Sequence, residues 1–338
     1  MADKGTYIIV GENIHCTRVR LTKGKFVETL GDGSSALVFR QDGKKQLLPI
    51  PKAIKEGPEF ADGKVRHVAV AVHQGLYGSA AEQEAGRRYV QTMAIEQERG
   101  GAWFLDVNVD EFSVDREEKI TAMNWIAKVV QDVTSVPLSI DSSDPGILEA
   151  GLAACDPAKG KPLVNSVSLE RVAFVPIAAK AGACVIAGAT GETSMPQSVE
   201  ERVANIEKIV GVLQEAGLAL SDIYLDPLVY PVSVDVENGT RVIESIRILR
   251  EKYGEEIHFA PGLSNVSFGF PKRSAINQVF AKLCQEAGCD GGIVDPAQIN
   301  DRVLGAIDYS DQMTGLARDL LLGKDEFGMA FISAARGA

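Results

Sequence analysis

Eight short apolar runs, each followed by a longer stretch of helical periodicity, constrain this chain more than any other feature. The runs lie at residues 7–10, 104–107, 138–141, 163–166, 184–187, 223–226, 258–262 and 291–294. They are nearly all apolar rather than alternating, the pattern of strands covered on both faces. Helical candidates fill the intervals at 80–99, 115–133, 145–154, 170–181, 198–216, 239–253, 274–287 and 299–323. An eightfold βα alternation predicts a parallel sheet of the α/β class, arranged as a (β/α)8 barrel. Punctuation residues support these limits. Asp144 precedes a first-turn Pro145, and Ser198 stands three residues before Glu201, the spacing of a capping box. Gly182, Gly217, Gly254 and Gly288 each fall just past an expected helix, where a left-handed residue is wanted.

Residues 22–66 break the rhythm. Turn-rich stretches at 31–34 and 41–44 flank alternating runs such as 36–40, which predicts one or two β-hairpins inserted after the first strand. Residues 67–72 read as a short extra strand of the same insertion. No linker divides the chain. A length of 338 residues suits one barrel domain over 1–338, because such barrels routinely exceed 200 residues as a single unit.

Composition removes several function classes. A net charge of −11 argues against nonspecific binding to nucleic acid or to an anionic membrane. The five cysteines, at 16, 155, 184, 284 and 289, form no CxxC pair, so reduced thiols in a cytoplasmic protein are expected. The four histidines form no HxH or HxxxH pair, and no metal site is expected from spacing. The polar start at residues 1–5 leads straight into a strand, which predicts no signal peptide. No apolar run approaches the roughly 20 residues that span a bilayer.

Six strands end in polar side chains: Gly11-Glu12-Asn13, Asp106-Val107-Asn108, Asp141-Ser142-Ser143, Asn165-Ser166, Asp226-Pro227 and Ser264-Asn265. In a parallel barrel such ends form the active-site face. Burying a carboxylate or amide without a partner costs roughly 2–7 kcal/mol or more, so packing alone gives no reason for them. Ser142, Ser143 and Asp144 are expected to serve as helix caps. Asp106, Asp141, Asn165, Asp226 and Asn265 point instead to a shared polar ligand.

These stretches, with Leu105–Val109, Leu225–Leu228 and Gly262–Ser267, resemble the pterin-binding barrel family, which includes dihydropteroate synthases. The branch they resemble most is that of the methyltetrahydrofolate:corrinoid protein methyltransferases, with the folate domain of cobalamin-dependent methionine synthase. The resemblance runs from residue 7 to about 310 and leaves out the insertion. It implies a folate substrate, a partner protein carrying the corrinoid (cobalamin) and no metal bound directly. Relatives commonly form homodimers. The resemblance assigns Asp141, Asn165 and Asp226 to the pyrimidine edge of the pterin, Asp106 and Asn108 to the lining of the same pocket, and Asn265 to N5, the atom carrying the methyl group. Glu12 and Ser166 belong to the matching strand-end motifs and are counted as substrate-binding. Arg273 is assigned to the benzoyl-glutamate tail, a solvated surface arginine being the plain alternative.

Three other readings stand beside methyl transfer, of which a metal enzyme is disfavoured by the histidine spacing. A dihydropteroate synthase needs a Ser-Thr-Arg-Pro loop for diphosphate, whereas residues 109–113 read Val-Asp-Glu-Phe-Ser. A noncatalytic pterin-binding protein would carry the same strand ends. For His15 and Cys16, a loop histidine and a structural thiol are the plain alternatives to ligand contact.

Overall fold

The computed structural model describes residues 5–337. Residues 1–4, on which the signal-peptide expectation rests, lie outside the described residues. Eight strands form one sheet: β1 (Ile8–His15), β2 (Phe104–Asn108), β3 (Leu138–Asp141), β4 (Leu163–Val167), β5 (Cys184–Gly188), β6 (Ile223–Asp226), β7 (His258–Phe259) and β8 (Gly291–Val294). Their order in the sheet is β7-β6-β5-β4-β3-β2-β1-β8. Neighbours thus follow chain order, and the last strand returns beside the first, pairing in parallel from Ile8 opposite Gly291. Past the end of β7, the Ile293 N–H donates to the Pro261 carbonyl at 2.9 Å, joining β8 to the segment that follows β7. With helices in the intervals, this is the strand order of a (β/α)8 barrel.

The chain falls into two compact units. Among the described residues, the first comprises Glu12–Arg99 and Phe104–Pro162; the second comprises residues 5–11, Gly100–Trp103 and residues 163–337. In the first unit, Leu105, Val107 and Ile140 on β2 and β3 are buried with Met123, Ile126 and Leu148 from the helices. In the second, Val164, Val185, Ile186, Leu225 and Phe259 are buried with Ile206, Ile246 and Phe280. Each such side chain contributes about 1.5–3 kcal/mol on leaving water.

Between Val19 and Arg66 the structure is antiparallel. Strands Val27–Thr29, Ser35–Gln41 and Lys44–Pro49 form a three-stranded sheet, and Val19–Leu21 pairs with Lys64–Arg66. The tight turn between the second and third of these places Asp42 and Gly43 at φ 50° and 76°. Two successive positive φ values match the twist of a hairpin, and Asp-Gly is a favoured pair for them.

Four expectations are corrected. Residues 67–72 belong to a helix, His67–Tyr77, not a strand. Val68, Val70 and Val72 imitate strand alternation, but His67, Ala71 and Gln74 are buried as well, so the element is covered on most sides. Partners satisfy two of its buried side chains: the Tyr89 hydroxyl meets His67 Nδ1 at 2.9 Å, and Gln74 Nε2 donates to the Pro49 carbonyl at 2.7 Å. The stretch 170–181 divides into a 3-10 turn, Leu169–Phe174, and a helix, Val175–Ala181, because Arg171 leaves helical geometry. The last stretch divides into Asp301–Gly305 and Gln312–Leu321. Strand β7 stops at Phe259, two residues before Pro261, which has no N–H to pair. Elsewhere the local chemistry is as read: Ser198 and Glu201 form a reciprocal capping box, and Gly182 ends its helix in the left-handed conformation. No helix among the described residues is long and apolar enough to cross a membrane.

Candidate functional site

The first unit gathers Asp106, Asn108 and Asp141 on the ends of β2 and β3, which pair with Asn108 opposite Asp141. Asn108 Nδ2 donates to Asp141 Oδ2 at 2.9 Å. Asp106 is fully buried and accepts the Ser139 hydroxyl on one oxygen. Its other oxygen meets His15 Nε2 at 2.7 Å. His15 stands at the end of β1, which extends five residues beyond the apolar run that announced it. Burial alone would lower the His15 pKa, but the hydrogen bond and charge of Asp106 raise it. Burial, followed by the charge of Asp106, pushes Asp141 up to about 7.

The ligating atoms of His15, Asp106 and Asp141 lie within 4.8 Å of one another, a spacing that could hold a metal ion. Glu12 faces away from this cluster chemically: its carboxylate pairs with Arg18 at 2.8 Å, and its carbonyl accepts Arg18 Nε at 3.1 Å.

Only Asp144 acts as the expected cap, taking the N–H groups of Gly146 and Ile147. Ser142 and Ser143 donate their hydroxyls to Asp110 at 2.7 and 2.8 Å, so they tie the loop after β2 to the end of β3. The short distance between two strand ends made this bond available; nothing in the local spacing announced it.

The second unit holds Asn165, Ser166, Asp226, Asn265 and Arg273. Asn165 and Ser166 lie near the end of β4, where its register with β5 shifts, and a cis peptide joins them. Asp226 ends β6. Its carboxylate accepts the N–H of Leu228 at 2.9 Å, and the nearby Gly262 backbone also favours its charged form. Burial pushes Asp226 up to about 6, against the lowering effect of those two backbone groups and of the charge on Arg202.

Arg202, on helix Val199–Glu215, has no exposed surface and, among the described residues, no carboxylate in an ion pair. It donates to the carbonyls of Pro227 and Ser198, each at 3.0 Å, and lies 4.9 Å from the centre of the Tyr230 ring. Sequence reading passed over Arg202, since one arginine in an amphipathic helix carries no signal of burial.

Asn265 sits in a 3-10 turn, Leu263–Ser267, directly after Gly262. The amide of its half-buried side chain has no hydrogen bond among the described residues. A Cβ at position 262 would stand 3.2 Å from Asn265 Nδ2, so glycine there lets the amide lie against the backbone. Arg273 turns back into the same segment: Nε donates to Ser267 Oγ at 2.9 Å and a terminal nitrogen donates to the Ser264 carbonyl at 2.7 Å.

Comparisons with known proteins show the family of the chain. A family profile described as "Pterin binding enzyme" matches residues 86–295. A methylcorrinoid:tetrahydrofolate methyltransferase of Eubacterium limosum is 31% identical over 261 residues, 76% of this chain and 90% of the relative. A methionine synthase of Mycobacterium leprae is 30% identical over 222 residues, 61% of this chain; the match spans only 18% of that much longer protein. Among solved structures, a dihydropteroate synthase of Xanthomonas albilineans in complex with 7,8-dihydropteroate superposes with a TM-score of 0.54 at 17% identity. That match covers 67% of this chain and 86% of the synthase, and it speaks for the fold.

Proposed function

Because this chain belongs to the pterin-binding enzyme family, in its corrinoid-dependent methyltransferase branch, we propose that it moves a methyl group between N5 of tetrahydrofolate and the cobalt of a corrinoid carried by a partner protein. The broad activity, folate methyl transfer by an enzyme, follows from its relatives. The observation that carries the finer reading is the Asn265 amide, which makes no hydrogen bond among the described residues and lies against Gly262.

A methyl group on N5 leaves as a cation equivalent, and the electron pair of the broken C–N bond stays on nitrogen. A donor N–H aimed at N5 strengthens its bond as that pair develops, so it stabilises the transition state more than the ground state. Asn265 supplies that donor. In the reverse direction the same N–H releases the pair as N5 attacks the methyl group. Asp141, Asn165 and Asp226 serve the pyrimidine edge, whose N–H groups want acceptors; Asp106, Asn108 and Ser166 line the pocket. His15 fixes the Asp106 carboxylate and holds its charge. The corrinoid supplies the reactive metal, and the chain orients the folate against it. Glu12, paired with Arg18, is assigned to shaping the β1 end.

Residues 1–338 are proposed to work as one folate domain, with the 22–66 insertion serving recognition of the corrinoid partner. Deleting the insertion should slow transfer involving protein-bound corrinoid while sparing folate binding; equal slowing with free cobalamin would reject that role. A homodimer in the cytoplasm is the proposed working state, tested by light scattering and fractionation.

Calorimetry separates this reading from pterin synthesis. 5-Methyltetrahydrofolate should bind, while the diphosphate precursor of dihydropteroate should not. In the loop after β2, Asp110 and Glu111 present carboxylates where a diphosphate site needs cations, and Glu111 is paired with Arg66 at 2.6 Å. Tight diphosphate binding would reverse the choice.

A further inference from the structure

We propose that Arg273 is a positioning residue for Asn265, and that it acts by clamping the turn on which Asn265 stands rather than by binding the folate tail. This rests on the role given to Asn265 above. The guanidinium reaches back from the first position of helix Arg273–Glu286 and takes two partners on either side of Asn265. The Ser264 carbonyl precedes it and the Ser267 hydroxyl follows it, at 2.7 and 2.9 Å. Ser267 Oγ also lies 3.3 Å from the Ser264 carbonyl, closing a small ring of hydrogen bonds around the turn.

The planar face of Arg273 lies 4.2 Å from the centre of the Phe268 ring, which restrains the fork in its plane. Two further bonds pin the segment from outside. The Ser233 hydroxyl donates to the Phe268 carbonyl at 2.6 Å, and the Val232 N–H donates to the Val266 carbonyl at 3.0 Å. Neither of them touches residue 264 or 267, so the two sides of Asn265 are bridged here by Arg273 and by the longer Ser267–Ser264 bond that its fork completes.

A cation at this place also has a local cost. Lys272, immediately before it, adopts φ 47°, a left-handed conformation unusual for a residue other than glycine, and provides no side-chain cap for the helix. The chain accepts that turn, and the turn brings Arg273 back over the 263–268 segment.

The proposal predicts a pattern that neither a tail contact nor a merely structural residue gives. Arg273→Met should lower kcat for methyl transfer about tenfold or more, since small displacements of a reacting group are costly. KM for 5-methyltetrahydrofolate should move less than about twofold. Arg273→Lys keeps the charge but loses the fork and should fall between. In an Asn265→Ala background, Arg273→Met should cost almost nothing further, because the two residues act through one interaction. A tail contact would raise KM, more so for a polyglutamylated folate, and would add to the loss from Asn265→Ala; that result overturns the proposal. Hydrogen exchange at 263–268 reads the clamp without turnover: it should quicken in Arg273→Met, and unchanged exchange overturns the proposal as well. A wild-type chain that transfers no methyl group would instead reject the assigned function, leaving the clamp to be judged by exchange.

Discussion

The strand ends of the two units solve opposite problems with similar residues. In the first unit the polar groups satisfy one another: His15, Ser139 and Asp106 form one string, and Asn108 and Asp141 form a pair beside it. In the second unit the functional groups are anchored through backbone. Asp226 is held by the N–H group of Leu228, the carbonyl after it by Arg202, and the Asn265 turn by Arg273. The Asn265 amide is left unengaged. A self-satisfied network holds shape and charge, which suits binding. An open donor on a braced turn suits a group that must bond to an atom only as the reaction proceeds.

This contrast can be broken by mutation, and the largest effect should come from the open donor. Asn265→Ala should slow methyl transfer by about 10²–10³-fold while changing folate affinity little, measured as single-turnover rate against calorimetric Kd. A loss of affinity equal to the loss of rate would put Asn265 with the binding groups instead.

His15→Ala tests the self-satisfied network, since it leaves the buried Asp106 carboxylate without its cation. Chemical denaturation should show a loss of about 3 kcal/mol, the scale for breaking a buried pair. A loss below about 0.5 kcal/mol, typical of a surface site, would mean the pair carries no charge. Asp226→Ala should weaken folate binding by about tenfold to a hundredfold, as expected when a hydrogen bond to a charged acceptor is lost. Unchanged affinity would remove it from the pyrimidine edge.

The smallest effect is one of pH. Burial raises Asp141 to about 7, so between the usual carboxylate range and pH 7 the folded chain binds a proton that the unfolded chain has released. Stability from this group therefore falls as pH rises through that window and levels off above it. Asp141→Asn should gain stability relative to the parent as pH rises from 4 to 8 in thermal melts. A difference that does not vary with pH would show that Asp141 titrates normally.

Much of the fold was legible because strand cores and helix ends are written locally. The limits of β3, β6 and β8 coincide with their apolar runs, and the Ser198 capping box needs only residues three apart. The helix His67–Tyr77 was not legible, since its valines alternate as a strand's would and only tertiary burial reveals the other faces. In the candidate site, the residue types at strand ends were visible, but their partners were not. His15 and Asp106 are 91 residues apart, and Ser142 reaches Asp110 across 32. Pairings of that kind depend on which strands lie side by side, and no local spacing encodes them. Arg273 is a further case: its bonds to Ser264 and Ser267 depend on how the chain turns back before its helix, which no local spacing encodes.

Methyl exchange followed by absorbance tests the central claim most directly. The purified chain is mixed with 5-methyltetrahydrofolate and reduced free cobalamin, and separately with tetrahydrofolate and methylcobalamin. The account predicts enzyme-dependent transfer in at least one mixture, with new methylcobalamin or new 5-methyltetrahydrofolate, and a greatly slowed rate for Asn265→Ala. Tight folate binding with no transfer in either mixture, or with protein-bound corrinoid, would contradict it and leave a pterin-binding protein without this activity.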